Sequence, residues 1–598
     1  LVMTLHIIDS SIIVIYLVAV VLMGLWLRSR AGEGMDAYFL GGRSIPWYVL
    51  GVSNASSMFD IAGTMWLVSM LFVYGLKGTW LPWLWPTFNQ IFLMIYLAVW
   101  IRRSGVVTGA EWIGTRFGKG RGAELSRIAI VVFALISVVS FLIYAYQGVG
   151  RFAAAFLPWD WTPDTYAMIL MGITTFYVIL GGMFSVVITD VFQFIMLTIA
   201  SIFIAFIAMS NVAPEALNAV IPDGWKTLWF GYTLDLDWSG LLPSVTEKIK
   251  ADGYNMFTIV WMMMLFKGIL TSMAGTAPNY DMQRVLATRS PKESAMMSGM
   301  VSAALIPRWL MIGGIAVLGL VFFSGELRSM GGTADFEMLM PFVIREFFPV
   351  GVTGLVIAGL LAAYMSTFDS TVNAGAAYLI NDIYKRYINP DASEKKVIWM
   401  SYGASILIVV VGVIMGTQAE SIHSAMGWIV TGLWGGFTIP NVLKWHWWRF
   451  NGYGYFWGMV SGIVTAMVLA QIVPASDYLY YFPVTMGVGA LGSILGSLMT
   501  KPDEMADLKS FYTTVRPWGF WGPVAAEVLN ENPEFKTGAS AARDLSNVAV
   551  GIIWQTSLVV APVYLIIREW YAMGFALALA VATSYWLKKR WFDELAND

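Results

Sequence analysis

Fifteen apolar stretches, most of them near the roughly 20 residues a helix needs to cross a bilayer core, follow one another along this chain of 598 residues. They fall at about 5–27, 45–74, 80–101, 126–157, 166–183, 186–210, 256–279, 297–323, 350–380, 397–416, 422–446, 453–474, 480–499, 547–567 and 572–587. In hydrocarbon every backbone polar group must be satisfied within the spanning structure, so runs of this length are expected as helices. The predicted fold class is all-α integral membrane, one multi-pass domain in a lipid bilayer. With 58% hydrophobic and 12% charged residues, the composition is not that of a soluble globular protein. The first stretch lacks a basic flank and an A-x-A cleavage site, so it reads as an anchor helix rather than a signal peptide.

The net charge of −2 gives no sign of a nucleic-acid partner; the placement of the charges says more. With the N-terminus outside, 26 of the 36 Lys and Arg fall on the inner side and eight on the outer, while Lys267 and Arg308 lie in or at the edge of spans. This bias predicts a cell-membrane protein, plasma or inner, with N-terminus outside and C-terminus inside. Zero cysteines exclude disulfides and thiolate metal sites. His6, His423 and His446 are scattered and form no catalytic constellation, so an enzyme is not expected.

Two polar stretches are long enough to form structure outside the bilayer. Residues 211–255, on the outer side, mix Pro, Trp and charges and are expected to cap the bundle. The inner stretch 500–546 carries Phe511–Tyr512 and Pro517–Trp518–Gly519–Phe520–Trp521–Gly522–Pro523, too aromatic for a solvated linker, and should lie against the membrane face or the bundle.

Within the spans, the informative residues are the polar ones. Gly359 to Asn373 sets Ser366, Thr367, Ser370 and Thr371 beside Asp369 in an otherwise apolar run, costly at membrane depth unless it works. Hydroxyl and carbonyl oxygens suit a hard cation, so the run reads as an alkali-ion site in a transporter. Span 45–74 interrupts itself with Gly51, Ser53, Asn54, Ala55, Ser56, Ser57 and Asp60; span 256–279 does so with Lys267, Gly268, Thr271, Ser272, Gly275, Thr276 and Pro278. The two lie five spans apart. Paired interrupted helices of this kind mark an inverted-repeat transporter with a midplane site.

Four motifs then resemble the sodium/solute symporter family, which includes bacterial sodium-coupled galactose, proline and sialic acid transporters. They are the Ala363–Ser366–Thr367 run, Gly181–Gly182 with Thr189–Asp190 and Gln193, Asp281–Met282–Gln283–Arg284 with Ala287, and Asp382–Ile383–Tyr384–Lys385. The likeness covers roughly 10–475. It implies the leucine-transporter-like fold, an inverted five-plus-five helix repeat with one extra N-terminal and about four extra C-terminal helices. On that division 1–44 holds the anchor helix and an inner loop, 45–185 with 186–250 the first repeat and outer loop, 251–450 the second repeat, and 451–598 the accessory helices.

The resemblance also implies a sodium ion held by carbonyls of Ala55 and Met58 and by Ala363, Ser366 and Thr367, with an alternative register through Ser53 and Ser56. A second cation site, found in some members, falls on Asp190, Ser366 and Ser370, with Asp369 standing where Ser is common. Ser and Thr in such helices otherwise bond their own backbone. From the residues alone, Asp60 and Lys267 sit near mid-depth on the two interrupted helices, so each should be paired, with the other or within a structural ion pair, or bind solute. Thr271 lies on the same interrupted helix, and Trp66, Trp80, Trp83, Trp85, Trp428 and Trp434 could stack on a sugar ring, with Trp66 and Trp428 favoured.

The expectation is a sodium-coupled symporter for a small polar organic solute, sugar or sugar acid first. The alternatives are an amino-acid or carboxylate symporter, or a non-transporting sensor or scaffold of the same fold.

Overall fold

The computed structural model describes residues 5–31, 35–84, 87–157, 159–276, 280–331, 335–419, 434–474, 478–538 and 540–595. Among these the chain is helical apart from turns and two isolated β-bridges, Thr233 with Asn255 and Trp447 with Phe520. Among the described residues ten helices are long and apolar enough to cross a membrane, and Ile7–Val20 and Phe257–Met273 are shorter apolar ones. The difference from fifteen has local causes. Span 45–74 divides into helices Trp47–Met58 and Ile61–Tyr74. Part of span 422–446 lies outside the described residues. Spans 166–183 and 186–210 run together in one helical stretch, Pro163–Asn211, of 49 residues. At 1.5 Å per residue a straight helix of that length would exceed twice a ~30 Å hydrocarbon core.

Small residues let the helices approach. Arg121–Phe156 is a 36-residue helix packed against Pro163–Asn211, Val352–Ala377 and Glu394–Gly416. A Cβ on Gly375 would come 2.8 Å from Ile408 and 2.9 Å from Val138, and one on Gly412 would lie 2.8 Å from Leu142, so both glycines serve close packing. The outward faces are apolar, as on Pro163–Asn211 with exposed Phe192, Ile195, Ile199, Ile202 and Phe206, where lipid takes the place of protein.

Residues 211–255 pack as a cap over one end of the bundle. Trp225 and Trp238 are fully buried, and their indole N–H groups donate to the carbonyls of Phe72 (3.0 Å) and Val73 (3.1 Å), which end the helix Ile61–Tyr74. Leu76 N–H in turn donates to the Trp225 carbonyl at 2.9 Å. The stretch 500–546 lies on the bundle through Trp521, whose indole donates to the Trp445 carbonyl at 2.9 Å. Buried Arg116 donates to the carbonyls of Lys444, Trp447 and Phe450 there, and stacks on Phe511 and Trp521.

Gly75 makes the cap joint possible. Its φ is +58°, and a Cβ there would stand 2.1 Å from the Trp225 carbonyl oxygen. Gly75→Ala is expected to cost about 2 kcal/mol through strain and displacement of the cap. Thermal unfolding of the purified protein in detergent checks it, and an unchanged melting curve would mean that the cap joint is not tight.

Candidate ion and solute site

Helix Trp47–Met58 stops because Phe59 and Asp60 leave helical geometry, Asp60 at φ −50°, ψ 152°. Asp60 then caps the next half-helix by accepting from Gly63 N–H at 3.0 Å. The first half-helix thereby ends with last-turn carbonyls that must find partners outside the regular ladder, the Ser56 carbonyl accepting from Phe59 N–H at 3.0 Å, and with the negative end of its dipole at the break. Helix Val352–Ala377 supplies the facing hydroxyls. Thr367 Oγ1 donates to the Ser57 carbonyl at 2.6 Å and to the Ala363 carbonyl at 3.2 Å, and the Ser57 and Ser366 hydroxyls lie 2.8 Å apart. All are buried, as are Ala55 and Met58 in the last turn. Buried Asn54 Oδ1 and Ser56 Oγ have no hydrogen-bond partner among the described residues. Carbonyl and hydroxyl oxygens gathered at a helix C-terminus are a donor set for a hard cation. The contact to the hydroxyls of Val352–Ala377 runs through Ser57, one position from either expected register.

One turn further in, a guanidinium takes the place between the expected second-site residues. Arg284 Nη2 donates to Ser57 Oγ (2.7 Å), Ser370 Oγ (2.8 Å) and Asp190 Oδ2 (3.0 Å), and its Nε to Ser53 Oγ (3.0 Å). Ser53 also hydrogen-bonds Asp190. Both charged side chains are essentially inaccessible, 1% and 0% exposed, so the pair is neutralised without solvent. Asp369 is fully buried on the same helix, within electrostatic reach of the Tyr16 hydroxyl on Ile7–Ala31. Arg284 was visible in the sequence only as part of a motif; its span-edge position hid the inward reach of a long side chain.

Asp60 pairs with Arg308 at 3.3 Å and accepts from the Tyr144 hydroxyl at 2.5 Å. Lys267 is buried, 5% exposed, in the wide π-helical stretch Phe257–Leu270. No ion pair joins it to Asp60 among the described residues. Both were marked by depth, but Arg308 is the partner; its place at a span edge was the available signal. Thr271 Oγ1 lies 3.0 Å from Thr438 Oγ1, and the second interruption follows at Gly275, φ +91°. Trp428 and Trp85 lie outside the described residues, and the side chain of Trp83 is likewise undescribed.

Next to Asp60, Tyr144 and Thr367 the midplane cavity is only about 10 Å³, the space of one water. Above it, on the capped side, an open cavity of about 460 Å³ has Trp66, Ser69 and Met70 on one wall and Glu247, Asp252 and Glu337 on another. Trp80 donates its indole N–H to the Leu228 carbonyl and is held by the cap, and buried Trp434 packs edge-on to Phe437. Burial, reinforced by Asp335, pushes the Glu337 carboxyl up to about 7, against the pull of Arg151 and Lys248.

A helical bundle with interrupted helices meeting at a buried oxygen-lined site is the construction of a secondary transporter. The profile of the "Sodium:solute symporter family" matches residues 38–462, and the chain belongs to that family. Relatives include sodium/glucose cotransporter 4 of Danio rerio, 27% identical over 499 residues and covering 78% of this chain and 72% of that protein. The sodium/glucose cotransporter of Vibrio parahaemolyticus is 25% identical over 543 residues, 85% of this chain and 94% of its own. The fold is that of a Na+-coupled sialic acid symporter solved substrate-bound and outward-open, with a TM-score of 0.66 at 17% identity over 83% of this chain and 99% of that one.

Two outcomes are expected. Arg284→Gln strands the buried Asp190 carboxylate and should cost about 3 kcal/mol or more, while adding Asp190→Asn should restore part of it. Melting curves of the two single variants and the double give the cycle, and additive losses would deny the contact. Glu337 binds its proton more tightly folded than unfolded, so its contribution to stability falls as pH rises from about 4.5, the ordinary value, through about 7. Glu337→Gln should flatten the melting temperature over that window; an unchanged slope would remove the group from the account.

Proposed function

We propose that the chain is a sodium-coupled symporter that imports a small polar organic solute, a sugar or sugar acid, by alternating access. The observation that carries this is the meeting of the Ser57 carbonyl with Thr367 and of the Ser57 hydroxyl with Ser366 at the broken end of Trp47–Met58. The ion would be held there by Ala55, Met58, Ala363, Ser366 and Thr367. It would take over oxygens that now satisfy one another, and so reward the geometry in which the half-helix and the hydroxyl helix stand correctly apart. Family membership and relatives called sodium/glucose cotransporters support transport over catalysis and a sugar-like solute.

The reading includes the inverted five-plus-five repeat and an N-terminus outside, supported by the paired interruptions and by the Lys/Arg bias. It assigns one sodium per cycle, because Arg284 already supplies the positive charge beside Asp190 and Ser370. Asp60, tied to Arg308 and Tyr144, would present its remaining acceptor capacity to solute hydroxyls at the midplane. Buried Lys267 would receive an anionic substituent, which favours a sugar acid; Trp66, Thr271 and Trp428 are assigned to the solute path.

Sodium should raise the melting temperature of the purified protein more than potassium at equal ionic strength, since a ligand of the folded state adds RT ln(1 + [L]/Kd). Ser366→Ala and Thr367→Ala should each remove most of the difference. Uptake of labelled sugars and sugar acids into proteoliposomes should require a sodium gradient with a Hill coefficient near one. Identical curves in the two salts would refute the ion assignment, and a Hill coefficient near two would refute the single sodium.

A further inference from the structure

At the end of the bundle that carries most of the basic residues, a cavity of about 480 Å³ lies between the inner loop and the last two helices. It is far in sequence from the ion-site residues, and the transport reading makes no use of it. Five cations line it: Arg103, Arg516, Lys536, Arg543 and Arg590. Against them stand two acids, Asp544 and Glu594, and Arg543 engages both, at 3.1 and 3.2 Å. The lining thus carries a net positive charge of three, with both carboxylates occupied by one arginine.

Its walls are fixed rather than fluid. Asn547 Nδ2 donates to the Arg590 carbonyl at 3.0 Å, and Trp586 Nε1 to Asn547 Oδ1 at 3.2 Å, so Ala541–Ile567 and Trp570–Arg590 are pinned together here. Arg103 donates to the Val515 carbonyl at 2.9 Å, next to Arg516. The first turn of the 27-residue helix Ala541–Ile567 contributes its positive dipole end.

The second observation concerns donors without acceptors. Tyr96 and Trp591 are among the lining residues, while the Tyr96 hydroxyl and the Trp591 indole N–H are themselves closed off behind the wall and have no hydrogen-bond partner among the described residues. A buried hydroxyl and indole left unsatisfied cost free energy unless something else accepts from them. Donors and cations around an aromatic wall of Tyr96, Trp100 and Trp591 are complementary to an anion that brings several acceptor oxygens. Trp586, 42% exposed, and Tyr585, 66% exposed, mark the neighbouring helix end as an interfacial one, where anionic headgroups of the inner leaflet collect.

We propose that this cavity is a binding site for a phosphate-bearing anion, its phosphate oxygens taken by Lys536 and Arg590. A phospholipid headgroup and a soluble phosphate ester share that chemistry. The full-length protein in neutral detergent is titrated with dihexanoyl-phosphatidylglycerol, with glycerol 3-phosphate, and with dihexanoyl-phosphatidylcholine. Saturable binding of the phosphatidylglycerol is expected, with the phosphatidylcholine at least tenfold weaker. Glycerol 3-phosphate that binds and competes identifies a soluble ester as occupant; lipid binding without such competition identifies a headgroup. Lys536→Gln with Arg590→Gln should weaken binding by about tenfold or more, at roughly 1 kcal/mol per cation near the surface. Lys536→Gln alone, at an exposed position, should weaken it several-fold with the melting curve unchanged. No saturable binding of either phosphate probe, equal binding of the zwitterionic lipid, or binding unaltered in both variants would overturn the proposal.

Discussion

A helix that stops halfway through a bilayer leaves its last carbonyls with neither water nor the next turn to bond, and the core around Trp47–Met58 is arranged to meet that cost. Thr367 reaches the Ser57 carbonyl from one side, and Arg284 reaches the Ser53 and Ser57 hydroxyls from another. Asp60 opens the next half-helix as its cap. The break is thus stabilised by hydroxyls and a guanidinium on other segments, not by local sequence. Oxygens satisfied by single hydroxyl donors can be transferred to a cation without leaving a strong hydrogen bond unmade, which is what a reversible ion site requires.

Three buried carboxylates are each neutralised from a different part of the chain: Asp190 by Arg284, Asp60 by Arg308, Asp382 by Arg127. Such pairs are weak evidence for stability, because desolvation offsets much of their attraction. Their effect is geometric, since breaking one strands a charge and the wrong helix arrangement is penalised. The Arg284 pair is the most consequential, tying the first half-helix, Pro163–Asn211 and Val352–Ala377 to the segment Tyr280–Ala287.

The two helix interruptions were legible because small, polar and Gly residues at mid-depth have no apolar function, and both breaks occur where those residues lie, at Phe59–Asp60 and Gly275. The outer cap and the docked inner loop were legible from misplaced tryptophans. The partner of Asp60 was not. Counting residues from a charged flank gives depth, but not azimuth or the neighbour across a helix gap, so Asp60 and Lys267 matched in depth while Arg308 made the contact. Composition likewise cannot show whether a turn at 183–186 interrupts the helical backbone, which there runs on through Pro163–Asn211.

What the sequence determined by itself was the solvent, the class of fold and the residues of a candidate ion site: apolar runs admit only helices in hydrocarbon, and Ala363, Ser366 and Thr367 lie on one helical face by their spacing alone. What only the tertiary structure decided was which charge meets which. Arg284 enters the cluster of Ser53, Ser57, Asp190 and Ser370 from a segment 86 to 231 positions away, and Lys536 and Arg590 come to one cavity from separate elements. Periodicity sets the face of a residue on its own helix, but the opposing face belongs to another part of the chain, and only packing brings the two together.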